Sequence, residues 1–203
     1  MTKRFIAALF IVILGVGSAQ AEVSPQGVVK STSEKMLDAL RKNRAALEQD
    51  STKIYGLVQS IVLPNFDFNT MSRWVLGRYW RQATPEQRTR FAEEFRTLLV
   101  RTYAKTLLEY SDAKISFPPM PASAAESDDV TVRSEVQPVN GAAFAINYSM
   151  HRKGNDWKIY DVTVDGVSLV TNYRGSFASQ IRDQGMDAMI NKLADLNARG
   201  SSS

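Results

Sequence analysis

Residues 129–164 read DVTVRSEVQPVNGAAFAINYSMHRKGNDWKIYDVTV. Val130, Val132 and Val136 alternate with Thr131, Arg133 and Glu135, so one side of this stretch is apolar and the other polar. Alternation with period two is the mark of a half-buried strand. Asn140-Gly141 supplies a turn, and Phe144, Ile146, Tyr148 and Met150 form the next apolar face. Lys153-Gly154-Asn155 turns the chain again into Trp157–Val164, a third strand. Three consecutive strands with short turns predict an antiparallel meander, and Ala113–Phe117 supplies a fourth strand.

On either side of the sheet the period changes to that of a helix. Upstream, Val29, Met36, Leu40 and Leu47 form a narrow stripe over 28–49. A shorter helix carries Ile54, Leu57, Val58, Ile61 and Val62 and stops at Pro64, and Phe66–Trp80 holds another, interrupted by Gly77. Thr84-Pro85-Glu86-Gln87 is the sharpest local signal. The threonine hydroxyl can cap, proline suits the first helical position, and glutamine at the third closes a capping box. The helix it starts is predicted to run to about Tyr110, with Phe91, Phe95, Leu98, Leu99, Thr102 and Leu107 inward. Beyond Gly166, Val170, Tyr173, Phe177 and Ile181, then Met186, Met189, Ile190, Leu193 and Leu196 after Gly185, predict two closing helices. Helices, then a contiguous sheet, then helices is an α+β order.

The first residues predict export. Lys3 and Arg4 precede the apolar run Phe5–Val16, and Ala19-Gln20-Ala21 gives the small-x-small pattern cut by signal peptidase. A cleaved leader over 1–21 is therefore expected, then one domain over 22–197 and a flexible tail over 198–203. That domain divides into 22–110, mainly helical, 111–168, the sheet, and 169–197, helical. Removing the leader takes away Lys3 and Arg4 and no acid, lowering the formal charge from +4 to +2. That is too mild for a nucleic-acid binder. The chain has no Cys, which excludes disulfides and a lipid-modified cysteine.

Catalytic constellations are scarce. With no Cys and His151 as the one histidine, no common zinc site can be assembled, and a histidine beside a turn is expected to be solvated. Val170 stands where a nucleophile elbow needs its closing glycine. Asp128 and Asp129 are expected to be solvated. Asp161 and Asp165 lie in an apolar segment, and a desolvated aspartate can act as a base. The weightier expectation is a carboxylate satisfied by backbone N–H groups near a helix start. Neither a cofactor nor a metal is expected. The apolar faces fit a filled core, and binary pattern alone does not tell that from a lined cavity.

Two stretches carry a resemblance. Trp157-Lys158-Ile159-Tyr160-Asp161-Val162, Gly166-Val167-Ser168-Leu169-Val170 and Asn172-Tyr173-Arg174 form one; Leu76-Gly77-Arg78-Tyr79-Trp80 with Thr84-Pro85-Glu86-Gln87-Arg88 forms the other. Together they resemble the periplasmic phospholipid-carrier family of the Mla (maintenance of lipid asymmetry) pathway, also called the toluene-tolerance auxiliary family. The resemblance implies a four-stranded antiparallel sheet like that of the nuclear-transport-factor-2 superfamily, with a helical subdomain enclosing an apolar cavity. It implies a non-enzymatic, monomeric carrier in the periplasm of a Gram-negative bacterium. Its partners would be phospholipid, an inner-membrane ABC transporter complex with MCE domains, and an outer-membrane lipoprotein–porin complex. Two other readings stay open: an enzyme of the same superfamily using Asp161, and an accessory protein of a transporter that carries nothing.

On the carrier reading, the lining is expected from Trp74, Val75 and Tyr79, from Phe95, Leu99 and Tyr103 on the long helix, and from Phe144, Ile146 and Tyr148 on the sheet. Val162, Val164, Val167 and Leu169 are expected near the mouth. Arg78 and Arg174, inside the resembling stretches, are candidates for a phosphate or an acidic partner, with a structural ion pair as the alternative.

Overall fold

A computed structural model describes residues 24–121 and 127–199. The expected leader and residues 200–203 of the expected tail lie outside them. Ser24 caps helix α1 (Pro25–Lys42), its side chain accepting from the Gly27 N–H, and the expected stripe Val29, Met36 and Leu40 is buried. The single helix expected over 28–49 is broken at Asn43, whose side chain donates to the Ala39 carbonyl, and α2 (Arg44–Gln49) continues beyond it. Next come α3 (Ile54–Leu57), a π-turn over Val58–Val62 and a tight turn over Leu63–Asn65. Helix α4 (Phe68–Leu76) is capped by Asp67 and ends at Gly77, with φ 54° and ψ −120°, a conformation that favours glycine. Then follow α5 (Tyr79–Gln82), α6 (Pro85–Tyr103) with the expected capping box in place, and α7 (Thr106–Glu109). The long helix thus stops at Tyr103, seven residues short of the expected end.

The sheet has five antiparallel strands in sequential order, not four: β1 (Lys114–Ser116), β2 (Asp129–Gln137), β3 (Phe144–Lys153), β4 (Asp156–Val164) and β5 (Val167–Ser168). The fifth strand exists because Asp165 (φ 47°) and Gly166 (φ 83°) both take left-handed backbone and fold the chain back onto β4. Ser168 then caps α8 (Leu169–Gln184), and Gly185 (φ 85°) separates it from α9 (Met186–Arg199). Helix α9 reaches two residues into the segment expected to be tail.

The core falls into separate clusters. The largest joins α4, α6, α8 and α9 through Met71, Phe91, Phe177, Ile181, Met189 and Ile190, among others. A second binds α1 to the sheet through Val29, Val130, Val132, Met150, Trp157 and Ile159. A third ties α1, α2 and α3 to the end of α6 through Met36, Leu40, Leu47, Ile54 and Ala104.

Candidate functional site: an apolar sheet face that opens at one corner

Strand register sorts the inner face of the sheet into rows. Val130, Met150 and Ile159 form one row; Val132, Tyr148 and Val162 the next; Ser134, Ile146, Val164 and Val167 a third; Val136 and Phe144 the last. Every side chain in these rows is apolar or aromatic except Ser134, which is buried and donates to the Ile146 carbonyl at 2.9 Å. The first row is sealed. In the second, Tyr148 and Val162 are half-buried; in the third, Ile146 is half-buried, Val164 is 37% exposed and Val167 59% exposed. The face therefore opens progressively towards the corner made by β3, β4 and β5. On the side of the last row, Tyr110, just beyond α7, meets Phe144 edge-on at 5.3 Å. Leu169, half-buried, begins α8 beside Val167.

The polar groups around this face are internally satisfied. Burial pushes the Tyr148 phenol above its usual range, although hydrogen bonds with Ser134 and Ser33 act the other way. Away from this face, in the helix–helix core, burial reinforced by Tyr103 raises Tyr173 to about 12. Asp161 accepts from the Val162 N–H (2.8 Å), the Val170 N–H (3.1 Å) and the Ser168 hydroxyl (2.6 Å). That is the carboxylate satisfied by backbone at a helix start, with its lone pairs committed to holding structure. Among the described residues no group of His, Cys, Asp and Glu is placed to hold a metal ion.

The sequence-predicted lining does not converge on one place. Phe144, Ile146, Tyr148, Val162, Val164 and Val167 share the open face, with Leu169 at its edge. Val75, Tyr79, Phe95 and Leu99 instead lie in the helix–helix core; Phe95 stacks on Phe91 and meets Tyr173 and Phe177 edge-on. Trp74 is 47% exposed on α4, and Tyr103, at the end of α6, is partly exposed. Among the described residues Arg174 has no ion-pair partner: its Nε donates to the Trp74 carbonyl at 2.8 Å, satisfying one of the last carbonyls of α4. Arg78 lies over the Tyr79 ring and donates to the Tyr79 hydroxyl. The two resembling stretches thus dock on each other, α8 onto the end of α4, with the Arg174 side chain against Gly77.

A separate cleft of about 540 Å³ lies between α4, α6 and the β3–β4 end of the sheet, lined by Phe66, Phe68, Thr89, Arg96, Lys153 and Lys158 among others. None of the sequence-predicted residues borders it. At its base Asp67 is only 5% exposed and receives Lys153 at 2.9 Å, with His151 Nε2 at 3.2 Å. Burial alone would raise this carboxyl, but hydrogen bonds from Lys153 and Thr70 hold it down at about 2. His151 is thus half-buried rather than solvated, with its ring edge-on to Tyr160. Asp128 and Asp129 are both exposed as expected; Asp128 pairs with Arg152, and Asp129 accepts from the Tyr160 hydroxyl at 2.7 Å. Sequence reasoning missed the Asp67 cluster; the one available signal was Asp67-x-x-Thr70 as a helix cap.

Comparison with known proteins decides the family. Residues 30–195 match the family model described as MlaC protein. This chain belongs to the MlaC family. The chain is 28% identical over 192 residues to the intermembrane phospholipid transport system binding protein MlaC of Haemophilus influenzae, covering 93% of this chain and 88% of that protein. It is 30% identical over 168 residues to the toluene tolerance protein ttg2D of Pseudomonas putida, covering 82% and 77%. A phospholipid-binding protein from Ralstonia solanacearum, solved in complex with a phospholipid, superposes with a TM-score of 0.79 and 31% identity, over 87% of this chain and 98% of that one. For this MlaC-family chain the matched span takes in every strand and all of α2–α8.

Proposed function

We propose that this protein is a periplasmic phospholipid carrier that takes acyl chains onto the open corner of its sheet and leaves the headgroup in water. The observation that carries the reading is the gradient along the inner face, from sealed Met150 and Ile159 to exposed Val164 and Val167. Folding would ordinarily bury such valines, and a contiguous exposed apolar surface marks a binding site. The phospholipid held by the Ralstonia protein supports the same chemistry on a closely similar fold. Each methylene withdrawn from water is worth about 0.8 kcal/mol, so two long acyl chains amount to roughly 20 kcal/mol or more. A lipid therefore does not cross an aqueous gap unaided, and a carrier need only match the bilayer. Recognition through tails leaves headgroup selectivity weak.

In this reading the leader directs the chain to the periplasm and is removed near Ala21. The mature protein, as a monomer, exchanges lipid between an outer-membrane lipoprotein–porin complex and an inner-membrane MCE-domain transporter. The names of the Haemophilus and Pseudomonas relatives support membership of such a system. The hydrogen bonds that occupy Asp161 weigh against the enzyme reading. The test is uptake of a fluorescent phospholipid from vesicles by the purified mature protein. Saturable uptake is expected, and a protein that takes up none contradicts the carrier reading.

A further inference from the structure

Val164 and Val167 sit directly opposite each other across β4–β5, both exposed. Two sets of contacts hold them there. The turn between them places Asp165 at φ 47° and Gly166 at φ 83°, the left-handed pair that an Asp-Gly hairpin turn adopts. Asp165 is held on β3: its N–H donates to the Ala145 carbonyl and its carboxylate accepts from the Ala145 N–H, both at 3.0 Å. On the other side of the hairpin, Asp161 takes the Ser168 hydroxyl at 2.6 Å and the Val170 N–H at 3.1 Å, while Ser168 Oγ accepts from the Thr171 N–H at 3.0 Å. One carboxylate thus joins β4, β5 and the first turn of α8. Asp161 and Ser168 point to the outer face, leaving the valines on the inner face with Ile146.

We propose that Asp161 is a positioning residue for lipid exchange: it fixes the β4–β5 hairpin so that Val164 and Val167 form a rigid apolar rim over which acyl chains pass. This rests on the carrier reading above. A chain leaving a bilayer must cross water at the mouth, and an apolar rim held in place shortens that exposed path. The rim works only if the hairpin does not fold inward to bury its own valines, which is what the carboxylate prevents.

The experiment measures exchange of a self-quenched fluorescent phosphatidylglycerol between vesicles of phosphatidylethanolamine and phosphatidylglycerol and the purified mature protein. Thermal unfolding is followed in parallel. The double variant Val164→Ser/Val167→Ser is expected to slow exchange on the order of tenfold and to lower the melting temperature by less than Asp161→Ala does, because Val167 is 59% and Val164 37% exposed. Asp161→Ala is expected to slow exchange similarly and also to lower the melting temperature; Ser168→Ala, which removes one bond of the network, is the substitute if Asp161→Ala does not fold. Adding Asp161→Ala or Ser168→Ala to the double-serine variant should cause no further slowing, although the drop in melting temperature persists. A purely structural aspartate would instead multiply the two slowdowns, and that result, or wild-type exchange in Asp161→Ala, overturns the proposal. Failure of the wild-type protein to exchange lipid at all would overturn the carrier reading itself, and this inference with it.

Discussion

Replacing Asp67 with Asn removes a charge while keeping a helix cap, because asparagine can still accept from the Thr70 N–H at the start of α4. What is lost is the ion pair with Lys153. In the folded protein the Asp67 carboxyl lies at about 2, against its ordinary 3.8. At about 1.4 kcal/mol per pKa unit, that difference corresponds to about 2.5 kcal/mol of stability at neutral pH before screening by solvent. The carboxylate is buried, but Lys153 is largely exposed, so screening by solvent trims the figure to about 2 kcal/mol, and Lys153 stays solvated after the change. The sign follows from the depression. Stability is present in full above 3.8 and is lost as the pH falls through 2. Urea unfolding of wild type and Asp67→Asn should therefore differ by about 2 kcal/mol at pH 7, or roughly 4–8 °C in Tm for a domain of this size. The gap should close progressively between pH 5 and 2. A difference under about 0.5 kcal/mol at pH 7, or one that persists unchanged at pH 2, refutes the reasoning.

The division between core and open face makes a paired prediction. Phe95→Ala, inside the helix–helix core, should cost about 3–5 kcal/mol, whereas Ile146→Ser should cost much less and instead reduce phospholipid uptake. Urea titration and the vesicle assay separate the two, and equal stability losses would erase the distinction. Arg174→Ala removes a donor from the end of α4 and should cost about 1 kcal/mol without changing headgroup preference; a switch in the lipids bound would give Arg174 a place at the phosphate. Gly77→Ala forces a side chain into a left-handed backbone and should cost more than about 1 kcal/mol, read by urea unfolding.

Much of the architecture was legible because local chemistry dictates it. Thr84 and Gln87 form the capping box that their spacing announces, and the alternating valines of β2 are buried one by one as their period requires. The break at Asn43 was hidden because the apolar stripe runs on through Leu47; a side chain competing for the Ala39 carbonyl ends the helix instead. Strand β5 was hidden because two residues carry no period, although Asp165-Gly166 is itself a hairpin-turn pair; contacts with Ala145 hold Asp165 in its left-handed backbone. The site was legible only by halves. Period assigned Ile146 and Val162 to the inner face, but the same criterion nominated Phe95 and Leu99, which pack against other helices. Whether an apolar face is covered depends on which element returns over it, and that is set by tertiary packing. The Asp67 cluster joins residues 86 positions apart, beyond any local pattern.

The most direct measurement is native mass spectrometry of the mature protein, purified from the periplasm without detergent. Carriage of lipid predicts a population heavier than the polypeptide by the mass of intact phospholipid, released on collision and diminished in Ile146→Ser. A single species at the polypeptide mass, unchanged after incubation with phospholipid vesicles, would contradict it.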